Sequence, residues 1–304
     1  MDGYKKFIPK KLRFQILKVL SFVPDKQMVQ LQYRIKTGRK LNLKNPCRYT
    51  EKIQWYKLYY RNELMPICVD KFRVREYIHD KNLDSILVQL YAVYDKPEEI
   101  DIETLPDKFI LKTSDGSGTN IICRDKKQFS NAEIQTQVNS FVKQAGASAG
   151  REWAYSHENV KIIVEQLLED PHTNDGSVND YKFLCFNGKP EYIVLDVGRF
   201  TDHKRNIYDT NWNDLRVASD CPCAEEEYAR PENLDEMLRI AEVLSKDFPA
   251  VRVDLYSVQG RVYFGELTFF PWSGYVIYNP DSFDYEMGEK FVLPDIRGGI
   301  TKMS

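Results

Sequence analysis

Paired cysteines are missing from this sequence. The six it has, Cys47, Cys68, Cys123, Cys185, Cys221 and Cys223, are scattered, and only the last two are close together. No second pair or histidine cluster completes a zinc site, so they read as buried thiols of a reducing cytosol. Long apolar runs are missing too. Lys and Arg interrupt each one near the N-terminus, so neither a signal-peptide core nor a membrane span is expected, and the expected location is the cytoplasm. No Gly-Lys-Ser/Thr opens a helix, which excludes a Walker loop. No Asp-x-Asp occurs anywhere. The nearest matches are Asp101 with Glu103 and Asp284 with Glu286, which speaks against a sugar-nucleotide transferase holding its metal in that way. The four histidines, His79, His157, His172 and His203, fall in no motif, so no general base can be named.

What is present is an ordinary globular composition over 304 residues, 42% hydrophobic and 29% charged, long enough for two or three lobes. The net charge of −2 hides an asymmetry. Residues 1–61 carry 16 basic and 3 acidic side chains, and the rest carry 27 and 42. A basic head on an acidic body asks for an anionic partner: a membrane surface, an acidic polysaccharide, or the body itself.

Residues 10–20 place Leu12, Ile16, Val19 and Leu20 on one helical stripe opposite lysines. The stripe either packs on the body or lies on a membrane surface. Helices are expected at 50–60, with Thr50 as N-cap, and at 70–80, 131–144 and 233–246. Strands are expected at 86–94, 108–113, 120–123, 160–167, 181–186, 191–197, 250–257 and 261–268. Residues 169–180 read as a polar loop. Short turns such as Asn187-Gly188 and Gln259-Gly260 make most strand pairs antiparallel, so the class is α+β.

Three stretches carry chemistry. In 108–121, KFILKTSDGSGTNI, a strand ends in Lys112 and a small polar loop follows. Gly116 and Gly118 let successive N–H groups point into one concavity, a nest for phosphate oxygens, although a plain hairpin turn beside a lysine would look similar. In 250–274, Arg252 and Asp254 share one face of a strand, and Glu266 and Thr268 share a face of the next. Acids facing inward between apolar neighbours need cations. Hard oxygens of this kind suit Mg²⁺ bridged to phosphates, the alternative being an exposed face of alternating charge. In 160–168, VKIIVEQLL, an apolar strand runs through Glu165 and can offer backbone groups to an adenine edge, or serve only as core.

The order of the pieces NPCRYTEKIQWYKLYYRN, DKFRVREYI, LPDKFILKTSDGSGTNII, KIIVEQLL, DYKFLCFNGKP and RVDLYSVQGRVYFGELTFFPWSG, over about residues 45–280, resembles the ATP-grasp superfamily, and most of all its TupA-like (teichuronopeptide-biosynthesis-like) branch. The resemblance implies two α+β lobes clamping ATP: a small lobe at 66–163 and a C-terminal lobe at 164–304, preceded by a basic helical segment at 1–65. It implies that Lys71 and Lys112 hold the ATP phosphates and that the loop from Thr113, through Ser114, Gly116, Ser117 and Gly118, is the lid. Glu165, Gln166, Leu167 and Leu168 become the adenine hinge. Asp180 falls on the ribose, with Glu169 as its rival. Lys182 is a further phosphate contact, and Asp254 and Glu266, joined by Thr268, hold magnesium. Arg252 steadies the carboxylate substrate and the oxyanion, making Arg252 and Lys182 the catalytic pair. Two departures stand out: Glu266-Leu267-Thr268 replaces the commoner Glu-x-Asn, and the usual N-terminal α/β domain is not read here.

The function implied is an ATP-dependent carboxylate–amine ligase using two magnesium ions and an acyl phosphate. The expected acceptor is a uronic acid of a surface polysaccharide or its precursor, such as capsule or cell-envelope glycan. The expected donor of nitrogen is an amino acid or another amine. Other expected partners are ATP and, through the basic head, an anionic surface at the inner face of the membrane; nucleic acid is not among them. A kinase on the same scaffold, or a polysaccharide-pathway protein of glycosyltransferase type that uses no ATP, are the rivals.

Overall fold

Alternating β-branched and polar residues give nine strands in two antiparallel sheets among the residues described by the computed structural model, 20–116, 118–143, 150–155, 159–173, 176–198 and 203–295. The first sheet runs β1-β4-β2-β3, from β1 (Leu90–Tyr94), β2 (Phe109–Thr113), β3 (Asn120–Cys123) and β4 (Ile162–Glu165). The second runs β7-β6-β5-β8-β9, from β5 (Asp180–Phe186), β6 (Lys189–Val197), β7 (Lys204–Asp209), β8 (Ala250–Val258) and β9 (Arg261–Thr268). The two-residue turns at 187–188 and 259–260 have positive φ throughout, as such hairpins require.

The helices are α1 (Asp25–Thr37), α2 (Tyr49–Tyr59), α3 (Leu64–Val69), α4 (Val74–Asp80), α5 (Asn131–Val142), α6 (Leu234–Ser245) and α7 (Ser282–Lys290). Helix α5 covers the first sheet, burying Ile134 and Val138 with Phe109, Leu111 and Val164. The larger core joins the second sheet to α6, α7 and the early helices α2, α3 and α4. Side-chain bonds lock the start of the chain to its end. The Thr50 N–H and hydroxyl donate to Asp284 at 3.0 and 2.7 Å, Arg48 donates to Asp281 at 2.8 Å, and Lys52 donates to the carbonyls of Gly288 and Phe291.

Several expectations shift. Thr50 is not the cap: α2 starts at Tyr49, and Glu51 accepts the backbone N–H of Cys47 and Arg48 instead. Helix α4 starts four residues late because Asp70 Oδ1 accepts the N–H groups of Phe72 and Arg73, both at 2.9 Å, and turns the chain first. Strand β1 begins only at Leu90, after a 3₁₀ turn at Asp84–Ile86. Strand β4 ends at Glu165, where the Gln166 N–H leaves for the Gln89 carbonyl. Not all the thiols are buried: Cys47 is exposed and Cys223 only half-buried. The basic stripe at 10–20 lies outside the described residues but for Leu20, in a 3₁₀ turn. Among the described residues no helix is long and apolar enough to cross a membrane.

Candidate functional site

The glycine loop is built on Asp70 and Ser114. Ser114 Oγ donates to Asp70 Oδ2 at 2.8 Å, its N–H donates to the Lys161 carbonyl, and its own carbonyl accepts the Lys71 N–H. Thr113 Oγ1 lies 2.6 Å from Thr119 Oγ1, closing the loop on itself. Both Thr113 and Ser114 are therefore buried as posts of the loop. Gly116 and Gly118 have φ of +64° and +79°, and a Cβ on either would meet nothing within 4 Å. Glycine is needed there for backbone direction, not for want of space. Ser117 lies outside the described residues. Lys71 Nζ donates to the Gly116 carbonyl at 2.6 Å. Burial, only partly offset by Glu266, pulls the Lys71 ammonium below its usual range.

Lys112, on β2, pairs with Glu165 Oε2 at 2.7 Å, and Arg75, on α4, pairs with Oε1 at 3.3 Å. Arg75 was missed in the sequence, although it stands one helical turn beyond Lys71. A small cleft is lined by Lys71, Arg75, Lys112 and Glu165 together with Phe264 and Gly265 of β9, so residues of both sheets border it. Gln166, Leu167 and Leu168 leave the first sheet half-buried. The two ribose candidates are in different surroundings. Glu169 pairs with Lys108 at 2.7 Å and Arg124 at 3.2 Å, which hold its carboxyl below the usual range. Asp180 is buried against Lys182.

Antiparallel register assembles the charged face of the second sheet. Asp254 stands opposite Glu266, Arg252 opposite Thr268, and Lys182 opposite Asp254. Arg252 donates to both Asp254 oxygens at 2.6 and 2.7 Å, to Glu266 Oε1 at 2.8 Å and to Thr268 Oγ1 at 3.1 Å. Lys182 Nζ reaches Asp254 at 3.2 Å and Asp196 at 3.7 Å. Burial pushes the Asp254 carboxyl up to about 6 against the pull of Arg252 and Lys182. Glu266 moves the other way: burial raises it, but Arg252, Lys71 and Lys182 together bring it below its usual range. Lys71, just ahead of α4, and Glu266, on β9, thus feel each other's charge.

Three more residues were not read as functional. Asp196 accepts from Arg205 Nε at 2.7 Å and lies 3.0 Å from His203 Nε2. Arg205 and Arg252 both lie against the Trp272 ring, their guanidinium carbons 4.7 and 5.1 Å from its centre. Asp196 and Arg205 sit in period-2 register with the charged face, a signal open to reading; Trp272 lies within the quoted FPWSG text but had no spacing to reveal it.

Whether magnesium suits this face follows from its donors. Among the described residues no three His, Cys, Asp or Glu side chains converge as a ready ligand set. Magnesium does not demand one, since it usually takes one or two carboxylates and completes its shell with water and phosphate oxygens. Asp254 and Glu266 in cross-strand register, with the Thr268 hydroxyl 3.1 Å from Glu266, fit that need.

A family model described as TupA-like ATPgrasp matches residues 51–292. The chain belongs to the TupA-like ATP-grasp family. Its two antiparallel sheets with a cleft between them are the ATP-grasp fold. No curated protein sequence matches the chain. Similar solved structures include the D-alanine–D-alanine ligase of Bacillus anthracis, with 17% identity and a TM-score of 0.39 over 67% of this chain and 57% of that one. The enzyme of the same name from Helicobacter pylori has 15% identity and a TM-score of 0.46 over 81% and 68%. An ADP complex of N5-carboxyaminoimidazole ribonucleotide synthetase has 13% identity and a TM-score of 0.45 over 72% and 50%. This ATP-grasp chain thus spans less than two thirds of the first and last of these.

Proposed function

We propose that this ATP-grasp protein is an ATP-dependent carboxylate–amine ligase, and that it amidates a uronic acid of a surface polysaccharide or its precursor with an amino acid or another amine. The observation that carries the reading is the cluster of Arg252, Asp254, half-exposed Glu266 and Thr268, in which Glu266 lies within charge range of Lys71, itself within charge range of Lys112. An arginine held between two acids is a preorganised charge for a carboxylate and for an oxyanion. The substrate carboxylate attacks the γ-phosphate, giving an acyl phosphate and ADP. The amine then attacks the acyl carbon, Arg252 holds the oxyanion, and phosphate leaves. Lys71, Lys112 and Lys182 steady the charge on the transferring group. The N–H groups about Gly116 and Gly118 cap the phosphates, Glu165 to Leu168 receive adenine, and Asp180 or Glu169 takes the ribose. Asp254, Glu266 and Thr268 would hold two magnesium ions, which when bound neutralise charge on the triphosphate.

The uronic acid is the finer part of the proposal. The basic head supports it, since it suits an anionic glycan or a membrane-held acceptor. Exposed Leu31 and Ile35, one turn apart on α1 beside exposed Arg34, support a peripheral place on an anionic membrane. Sedimentation with phosphatidylserine vesicles, compared with phosphatidylcholine vesicles, tests this. For the reaction, the protein is incubated with magnesium, ATP, glucuronate and a mixture of amino acids. ADP together with an amide mass is the expected result. A stable phosphoester would make the protein a kinase, and no ADP with any acceptor would end the ligase reading.

A further inference from the structure

Three successive residues, Trp272, Ser273 and Gly274, lie in the left-handed region, with φ of +48°, +54° and +66°. Only one is glycine, so restraints beyond the turn must hold the other two. Most come from α2. Gln54 Nε2 donates to the carbonyls of Ser273 and Gly274 at 2.8 and 2.9 Å. Lys57 Nζ donates to the same Ser273 carbonyl at 3.1 Å and to Gln54 Oε1 at 3.2 Å. Ser273 Oγ donates to Glu152, whose carboxylate lies 4.0 Å from Lys57 Nζ. Helix and turn are so close that a Cβ on Gly274 would lie 2.7 Å from the Ile53 side chain.

The Lys57 side chain is 0% exposed. A buried ammonium is a poor source of stability beside an apolar chain of the same length, so its place asks for another reason. The turn it grips is the one that presents Trp272 to Arg252 and Arg205.

We propose that Lys57 and Gln54 are positioning residues for Arg252: they clamp Ser273 so that the Trp272 ring stays against the Arg252 guanidinium beside Asp254 and Glu266. This rests on Arg252 being the group that meets the acceptor carboxylate. A ring fixed on one face of a guanidinium attracts the cation and bars its rotation, leaving its edge aimed at the acids. Burial brings Lys57 down to about 8, Glu152 opposing and Lys36 assisting, while the Tyr275 ring faces the ammonium at 5.0 Å. The clamp therefore slackens as pH rises through that value.

The test uses Lys57→Met, Lys57→Arg and Gln54→Leu in the full chain. The indole N–H signals of the four tryptophans are recorded by ¹H–¹⁵N NMR, that of Trp272 being assigned by its loss in Trp272→Phe. The Trp272 signal is expected to titrate near pH 8 in the parent. At pH 7 it is expected to shift or broaden in Lys57→Met and Gln54→Leu, to return in Lys57→Arg, and to leave Trp212 unmoved. In the magnesium, ATP, glucuronate and amino-acid assay, kcat falls at least tenfold in the first two variants with KM for ATP changed less than twofold, and Lys57→Arg restores it. A Trp272 signal unmoved in both Lys57→Met and Gln54→Leu overturns the proposal, as does a loss of kcat matched by a loss of ATP affinity. If the parent releases no ADP, the ligase reading fails and the NMR signal alone decides the clamp. Should Lys57→Met not fold, Gln54→Leu carries the same test.

Discussion

Arg252 turns its Nε and Nη2 groups on acids of the same sheet face, gripping Asp254 in a two-point bond at 2.6 and 2.7 Å although the two residues stand only two apart on one strand. Removing one member of a buried pair leaves the other charged and unpaired, which typically costs about 3–5 kcal/mol. Arg252→Met is therefore expected to lower the unfolding free energy by about that amount and to abolish ligation. Arg252→Lys keeps a charge without the fork, so it should fall between the two in urea denaturation and remain nearly inactive.

Gly265 lies at the β-bulge between Asp254 and Leu255, where an added Cβ would be 3.0 Å from the Asp254 carbonyl and 3.1 Å from the Tyr256 ring. Gly265→Ala is expected to cost about 1–3 kcal/mol through crowding and to disturb the register of Glu266 against Asp254. Thermal melting reads the first effect and magnesium-dependent ATP binding the second.

Lys112 is tied to Glu165 at 2.7 Å. If the lysine moves to phosphate when ATP binds, Lys112→Met weakens ATP by roughly tenfold or more, the scale of one charged hydrogen bond. The melting temperature should change little, since Arg75 still pairs with Glu165 at 3.3 Å and that carboxylate is not left alone. Calorimetry with ATP and magnesium makes the comparison.

Asp284 gives a pH prediction of definite sign. Burial raises its carboxyl to about 6 in the fold against 3.8 for an ordinary aspartate. Between those values the folded chain holds more protons than the unfolded one, so this group's contribution falls as pH rises from about 4 to 6 and is constant above. Asp284→Asn removes the titration while keeping an acceptor for the Thr50 N–H. The variant should gain on the parent by on the order of 3 kcal/mol between pH 4 and pH 7, read by urea denaturation at each pH.

The charged face is legible because strands alternate with period two, which places Arg252 with Asp254 and Glu266 with Thr268 on shared faces from the sequence alone. Strand β7 is not, because Arg205, Asn206, Ile207 and Tyr208 are all buried, on both faces, so it shows no alternation, and its two polar members are buried by virtue of Asp196, Asp220 and Asp214. Helix α1 escaped notice for a related reason: Gln32 and Tyr33 share its buried face with Met28 and Val29, which blurs the apolar stripe. The turn at Trp272 could not be foreseen at all. Left-handed backbone at Trp and Ser runs against local preference and exists because α2, more than two hundred residues earlier, grips it.

The bonds that join Arg48, Thr50 and Lys52 to Asp281, Asp284 and Phe291 have a consequence for synthesis. A chain leaves the ribosome N-terminus first. Helix α2 must therefore wait for part of its cover: Tyr49 and Tyr56 meet the Phe291 ring, and Tyr56 the Phe270 ring, only after the last strand pair and α7 have emerged. Among the described residues, α2 is thus a part of the large core that is made early and completed late.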